Sequence, residues 1–170
     1  THNNGAGDGF THEIYIGGDT TNTAMLSNWT STCGLKSTHA LKSRAGTTTV
    51  MGGTYTGSPD TTGNVGGGVI DIPDGGIVNI TGASLVLSAG AANRNFLTYA
   101  EESAKNLAVG TTVTITNVVF TDNTNQGGII QALAANVPNA SLVLSGCTYV
   151  GSVAPTISGF ARVSGTIAKA

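Results

Sequence analysis

The apolar positions between residues 46 and 160 fall into four segments that align with one another without gaps. They are Val50-Met51-Gly52-Gly53-Thr54-Tyr55-Thr56-Gly57-Ser58, Ile80-Thr81-Gly82-Ala83-Ser84-Leu85-Val86-Leu87-Ser88, Ile115-Thr116-Asn117-Val118-Val119-Phe120-Thr121-Asp122-Asn123 and Leu144-Ser145-Gly146-Cys147-Thr148-Tyr149-Val150-Gly151-Ser152. In each, an aliphatic residue is followed by a small polar one (Met51 in the first segment), then by Gly or Asn, and three positions later by a large apolar side chain. Two residues upstream, Val78, Val113 and Leu142 extend the apolar–polar alternation of a half-buried strand. Gly52, Gly82, Asn117 and Gly146 mark the frame, at spacings of 30, 35 and 29 residues. A second extended segment follows each motif: Gly67-Gly68-Val69-Ile70-Asp71-Ile72, Asn95-Phe96-Leu97-Thr98-Tyr99, Gly127-Gly128-Ile129-Ile130-Gln131-Ala132 and Thr156-Ile157-Ser158-Gly159-Phe160. Val163-Ser164-Gly165-Thr166-Ile167 is a fainter fifth echo.

One unit of this size cannot bury its own apolar face, whereas stacked units bury a continuous column, so the pattern predicts a solenoid. With strands about 4.8 Å apart, Val50, Ile80, Ile115 and Leu144 form one interior aliphatic ladder, and Tyr55, Leu85, Phe120 and Tyr149 a second. Gly or Asn between the ladders suits a sharp bend, because both tolerate left-handed backbone angles. An antiparallel β-sandwich with glycine turns is the alternative; in-phase alignment of chemically unlike residues favours the solenoid. Residues 1–45 do not carry the repeat and are expected to form an N-terminal capping or attachment segment, with the repeats at 46–170. Within that segment Phe10, Ile14 and Ile16 alternate as one strand, and Ala24 to Leu41 has room for a short helix or a cap. The insertion in the longest repeat, Ala100-Glu101-Glu102-Ser103-Ala104-Lys105-Asn106-Leu107, reads as a short helix.

The third motif with its upstream strand, Val113-Thr114-Ile115-Thr116-Asn117-Val118-Val119-Phe120-Thr121-Asp122-Asn123, followed by Gly127-Gly128-Ile129-Ile130, resembles one coil of the right-handed parallel β-helix family. That family includes pectate lyases, phage tailspikes and polymorphic surface adhesins. The resemblance spans roughly residues 46 to 160 and implies a short right-handed parallel β-helix of about four coils. The chain departs from the family at the bend, which carries Gly, Gly, Asn and Gly rather than a stacked Asn ladder.

Composition narrows the function classes. Of 170 residues, 26 are Thr and 25 Gly, and charged residues are only 9%. Thr and Gly are poor helix formers, and 39% hydrophobic residues with a net charge of −2 argue against simple disorder. Seven Lys plus Arg make nucleic acid an unexpected partner. No apolar run reaches the length of a membrane span. The sequence opens on Thr1 without a secretory signal pattern. Cys33 and Cys147 lie far apart and share no metal spacing with a histidine. Two free buried thiols is the favoured reading, with a disulfide left open.

Enzymes on β-helices bring carboxylates together across neighbouring coils. Here Asp122 sits level with Gly57, Leu87 and Gly151, so no carboxylate ladder runs up the stack and no catalytic residue is assigned. Asp71 and Asp74 share one turn, Glu101 and Glu102 another, and the two pairs meet only if both turns fall on one side. Read singly, they are solvated turn acids. Asn4-Gly5-Ala6-Gly7-Asp8-Gly9 lacks the spacing of a calcium turn. His2, His12 and His39 lack ligand spacing, so no metal site is expected. No nucleophile elbow or phosphate loop is present, and no cofactor is expected. Lys36, Lys42 and Arg44 form a positive stretch that is either solvated or turned toward an acidic partner surface. If a sugar binds, exposed aromatics stack on it; Trp29 and Tyr99 are the candidates.

The family resemblance and the Thr-, Ser- and Asn-rich surface lead to one expectation. It is a non-enzymatic structural protein of a virion surface or extracellular assembly, of the phage fibre, tailspike or capsid-decoration kind. It would act as a homo-oligomer, a trimer for preference, with capsid or tail proteins as partners. The alternatives are a cell-surface adhesin with a carbohydrate receptor, a filament subunit, or a polysaccharide-active β-helix enzyme.

Overall fold

The structure, a computed structural model, describes residues 12–35, 37–61, 68–133 and 135–170. His2, the Asn4–Gly9 segment, Phe10, Lys36 and Gly67 lie outside the described residues. Among the described residues, eighteen short strands follow one another in triplets. The first triplet is β1 (Tyr15–Ile16), β2 (Thr23–Ser27) and β3 (Thr30–Thr32); the second is β4 (Leu41–Ser43), β5 (Thr47–Met51) and β6 (Thr54–Thr56). Next come β7 (Ile70–Ile72), β8 (Ile77–Thr81) and β9 (Ser84–Leu87), then β10 (Asn95–Tyr99), β11 (Thr112–Thr116) and β12 (Val119–Asp122). The last two triplets are β13 (Ile129–Ala132), β14 (Ser141–Ser145) and β15 (Cys147–Val150), then β16 (Thr156–Ser158), β17 (Arg162–Ser164) and β18 (Ile167–Lys169). Equivalent members of successive triplets pair, giving three six-stranded sheets: β1-β4-β7-β10-β13-β16, β2-β5-β8-β11-β14-β17 and β3-β6-β9-β12-β15-β18. Every pairing among them is parallel, which rules out the antiparallel sandwich.

The register is the one the hydrophobic pattern predicts. Val50 pairs with Ile80, Ile80 with Ile115 and Ile115 with Leu144. Tyr55 pairs with Leu85, Leu85 with Phe120 and Phe120 with Tyr149. All eight side chains are buried, and Phe96 of the first sheet meets Phe120 edge to face at 5.1 Å. The ladders continue past the four motifs. Leu26 extends the aliphatic one at the N-terminal end. Ser31 and Lys169 terminate the aromatic one at either end with polar side chains.

The bend is a column of left-handed residues: Asn28, Gly52, Gly82, Asn117 and Gly146 have φ of 54°, 65°, 64°, 52° and 62°. Backbone hydrogen bonds run straight through it, from Asn28 N to Met51 O, Gly52 N to Thr81 O, Gly82 N to Thr116 O and Asn117 N to Ser145 O. No side-chain ladder is needed to hold the corner. The mixture of Asn and Gly has a steric reason. A Cβ at Gly52 would lie 2.2 Å from Asn28 Oδ1, and one at Gly146 2.1 Å from Asn117 Oδ1. Each Asn side chain thus occupies the space of the next residue up the column.

Two local expectations are corrected, and no helix occurs among the described residues. Ala24 to Leu41 is not helical: β2 has Ala24 and Leu26 facing the core between exposed Thr23, Met25 and Ser27, and β2, β3 and β4 join the same three sheets as the repeats. The 100–107 insertion forms turns. Its N–H groups reach back to the corner after β7, with Glu102 and Ser103 bonding Pro73 O and Asn106 bonding Asp74 O at 3.1 Å. Those acceptors replace the i−4 carbonyls a helix would use, and Ala100 enters with φ of 59°. Cys33 and Cys147 are free and buried, and burial pushes the Cys33 thiol up. No helix among the described residues is long and apolar enough to cross a membrane.

Candidate functional site

Side chains alternate across a strand. In the first sheet Leu41, Ser43, Ile70, Ile72, Leu97 and Tyr99 point inward, which turns Lys42, Asp71 and Thr98 to the outer face, directly beside one another in the register. An outer row normally meets solvent. These three are buried, Asp71 completely, because the 100–107 insertion folds across them. Asn106 secures the insertion from beneath: it is buried, and its Nδ2 lies 3.2–3.3 Å from the carbonyl oxygens of Arg44, Ala45 and Gly75. Asn136 Nδ2 donates to Ala100 O at 2.7 Å from the other side.

The fold-back lays Glu101 and Glu102 over the basic residues of β4 and the following corner. Lys42 Nζ is 2.5 Å from Glu102 Oε1 and 2.9 Å from Asp71 Oδ2. Arg44 bonds Asp74 Oδ1 at 3.0 Å, Tyr15 Oη at 3.1 Å, and Glu102 Oε2. Ser103 Oγ donates to Asp74 Oδ1 at 2.6 Å. One carboxylate oxygen each from Asp71, Glu101 and Glu102 lie within 4.8 Å of one another. His12 and His39 approach to 3.3 Å through their Nδ1 atoms, and His12 Nδ1 is 2.5 Å from Thr38 Oγ1. An open pocket of about 450 Å³ is lined by His12, Tyr15, Lys42, Arg44 and Glu102.

The electrostatics follow from burial and pairing. Burial, with Lys42 nearby, lowers His12 to about 4; burial, His12 and Lys42 lower His39 to about 3. Both imidazoles are therefore neutral at pH 7. Burial opposes charge on Glu102, but hydrogen bonds from Lys42 and Arg44 outweigh it and hold the carboxyl at about 2. Asp71 goes the other way: burial raises it to about 6, only partly offset by Lys42. The Lys42 ammonium pairs with Asp71 Oδ2 at 2.9 Å, and Asp71 Oδ1 has no hydrogen-bond partner. Burial also raises Glu101.

Several expectations change here. The two acidic turns do fall on one side, so Asp71, Glu101 and Glu102 form a cluster rather than solvated singles. Lys42 is buried rather than solvated, and Lys42 and Arg44 both pair with acids of the same chain. Tyr99 cannot stack on a sugar: it is an interior residue, buried, with its hydroxyl donating to Gly76 O at 2.6 Å. Trp29 is 55% exposed, but it sits at the bend between β2 and β3, on the other two sheets. The exposed aromatic at the pocket is Tyr15, 54% exposed and stacked on His12 at 5.7 Å. A sequence signal for the site existed. Lys42 and Asp71 are 29 residues apart, one repeat length, each flanked by inward-facing residues; placing the repeat's start at residue 46 hid it.

No family model matches the chain, and no curated protein or solved structure matches it either.

Proposed function

We propose that this chain is a non-enzymatic structural β-solenoid of a virion or extracellular assembly, of the phage fibre, tailspike or capsid-decoration kind, working as a homo-oligomer with a trimer as the expected state. In this reading each strand triplet is one turn of a right-handed coil, the hand favoured for parallel crossovers. Residues 1–45 serve as the attachment end. One observation carries the reading. In the strands of the second and third sheets, the exposed charges are Arg162 and Lys169, both in the last triplet, and exposed Val119, Val143 and Val150 sit on the outer faces among threonines and serines. Such flat faces offer a neighbouring copy apolar and hydroxyl contacts with no like-charge repulsion. A lone soluble domain ordinarily protects its sheet surfaces and edges with charge. The carboxylate cluster does not argue for catalysis, because Asp71 has no exposed surface to touch a substrate and Glu102 is held by Lys42 and Arg44. The test is mass in solution by analytical ultracentrifugation, with Val150→Lys as the face-breaking variant. An oligomer that Val150→Lys dissociates supports the reading; a wild-type chain that stays monomeric at high concentration refutes it.

A second reading, a carbohydrate-binding adhesin, has its own support in the open pocket. Tyr15 stacked on His12 is a platform for a sugar ring, and Arg44 and Glu102 offer donor and acceptor beside it. Glycan-array binding that disappears in Tyr15→Ala favours it. Hydrolysis or elimination of a polysaccharide, lost on replacing Glu101, would favour the enzyme alternative instead.

A further inference from the structure

Lys42 and Asp71 are direct partners in the register of β4 and β7, side by side on the outer face of the first sheet. Lys42 Nζ lies 2.9 Å from Asp71 Oδ2, with the carboxyl carbon one bond beyond. The other contact of the amine is Glu102 Oε1 at 2.5 Å. Asp71 is fully buried and Lys42 almost so, while Glu102 keeps 41% of its side chain exposed. An amine, a carboxyl and a second carboxylate touching the amine, in a site closed to bulk water, are the parts needed for an amide condensation.

We propose that Lys42 and Asp71 condense with each other into an intramolecular isopeptide bond, with Glu102 as the proton-transferring catalytic residue. The bond staples the second strand triplet to the third. The resting pair is ionic: burial opposes charge on Lys42, but its hydrogen bonds to Glu102 and Asp71 outweigh that and raise the ammonium. Burial raises Asp71 to about 6, so of the two acids on Lys42 it is the better proton acceptor; Glu102 is held at about 2. Moving one proton across the 2.9 Å contact gives a neutral amine and a carboxylic acid. Burial narrows the cost of that transfer, because it penalises both charges of the ion pair. A desolvated lysine amine is a nucleophile. Its Nζ lone pair attacks Asp71 Cγ, and Glu102 Oε1 takes the proton the nitrogen sheds. Glu102 then hands that proton to the hydroxyl on Cγ as the C–O bond breaks. One N–C bond forms, one C–O bond breaks, and one water leaves; ammonium plus carboxylate equals amide plus water, with no oxidant or cofactor. The water has an exit, since Lys42 and Glu102 line the open pocket. Held in place, such partners reach effective molarities of about 10⁵–10⁸ M. The burial that bars an outside substrate from Asp71 does not bar this single internal turnover. A monomer or an oligomer can carry the bond, so the inference does not rest on the structural reading above.

The test is intact-mass spectrometry of the full chain, denatured after incubation at neutral pH for days, followed by tryptic mapping. The expected mass is one water below that of the sequence, with one branched peptide pair joined through Lys42 and Asp71. Lys42→Arg keeps a cation beside both acids but offers no amine, so it should retain the full mass. It should also melt lower than the linked wild type, which a closed loop constrains when unfolded. Glu102→Gln, at a half-exposed position, should fold with unaltered circular dichroism and form the bond about 10²-fold more slowly or worse. A folded wild type that keeps its full mass overturns the proposal, whether or not either variant folds. Water loss that persists in Lys42→Arg, as from cyclisation at Asp74-Gly75, overturns it too. Bond formation at the wild-type rate in Glu102→Gln overturns the role of Glu102.

Discussion

Tyr149→Phe removes one hydroxyl from the aromatic ladder and leaves the ring in place. The Tyr149 Oη donates to Asp122 Oδ2 at 2.9 Å, and both residues are buried. Asp122 also accepts from Thr124 N at 2.8 Å, from Thr124 Oγ1, and from Gly127 N at 2.9 Å, so it ties the turn after β12 to the next coil. A hydrogen bond to a charged group contributes about 1.5–3 kcal/mol. Asp122 keeps its Thr124 and Gly127 donors, but Gly128 N–H, which donates to Tyr149 Oη at 3.4 Å, loses its acceptor, so the whole range applies, about 1.5–3 kcal/mol, or about 3–12 °C in Tm for a domain this size. The effect carries a pH signature. Burial pushes the Asp122 carboxyl up, but the bonds from Thr124, Tyr149 and Gly127 outweigh it and hold the group below the usual carboxylate range. A depressed folded value stabilises above the unfolded pKa of about 3.9 and loses that contribution as pH falls through the folded value. The Tm gap between wild type and Tyr149→Phe is therefore flat from neutral pH to about pH 5 and narrows below about pH 4. Tyr55→Phe is the matched control. Its hydroxyl is buried with no hydrogen-bond partner, so removing it should leave stability unchanged or raise it by up to about 1 kcal/mol. Circular-dichroism melts of both variants across pH provide the assay. Equal losses in the two variants, or a Tyr149→Phe gap that does not change in acid, would refute the reasoning.

Ile115→Ala and Phe120→Ala, both at fully buried ladder positions, should cost about 2–5 and 3–5 kcal/mol in denaturant unfolding; a cost below 1 kcal/mol at both would place them outside the core. Gly82→Ala should fold and lose only about 1 kcal/mol, the cost of a β-carbon at φ of 64°, since a Cβ there meets nothing within 4 Å. At Gly53 a Cβ would lie 2.0 Å from Trp29 O at φ of 83°, so Gly53→Asn should lose about 2 kcal/mol or more, and equal melts for the two variants would contradict the corner geometry. Asn106→Ala leaves the carbonyls of Arg44, Ala45 and Gly75 without their shared donor, and should cost about 1–3 kcal/mol and speed hydrogen exchange selectively in residues 100–107.

What the sequence determined alone is the stacking register. Side-chain direction alternates with period two whatever lies around the strand. Once parallel neighbours are about 4.8 Å apart, aligned motifs become aligned residues. Val50, Ile80, Ile115 and Leu144 could therefore be matched one to one before any coordinates, and so could the left-handed Gly and Asn corners. The ends of the array were harder to read, because β2 and β3 carry small Ala24 and Ser31 at inward positions where the inner coils carry Val78 and Val113 or Leu85 and Phe120; their neighbours in the stack, not their own hydrophobicity, make them strands. The ionic cluster was decided by tertiary structure. Lys42, Asp71 and Glu102 are drawn from β4, β7 and the turn after β10, and their meeting depends on which way that turn folds. The N–H groups of Glu102, Ser103 and Asn106 had two sets of acceptors, the insertion's own carbonyls or those of Pro73 and Asp74. Choosing the second turned an expected helix into a lid and solvated acids into a buried network. That choice rests on contacts about thirty residues apart in the chain, beyond the reach of local periodicity.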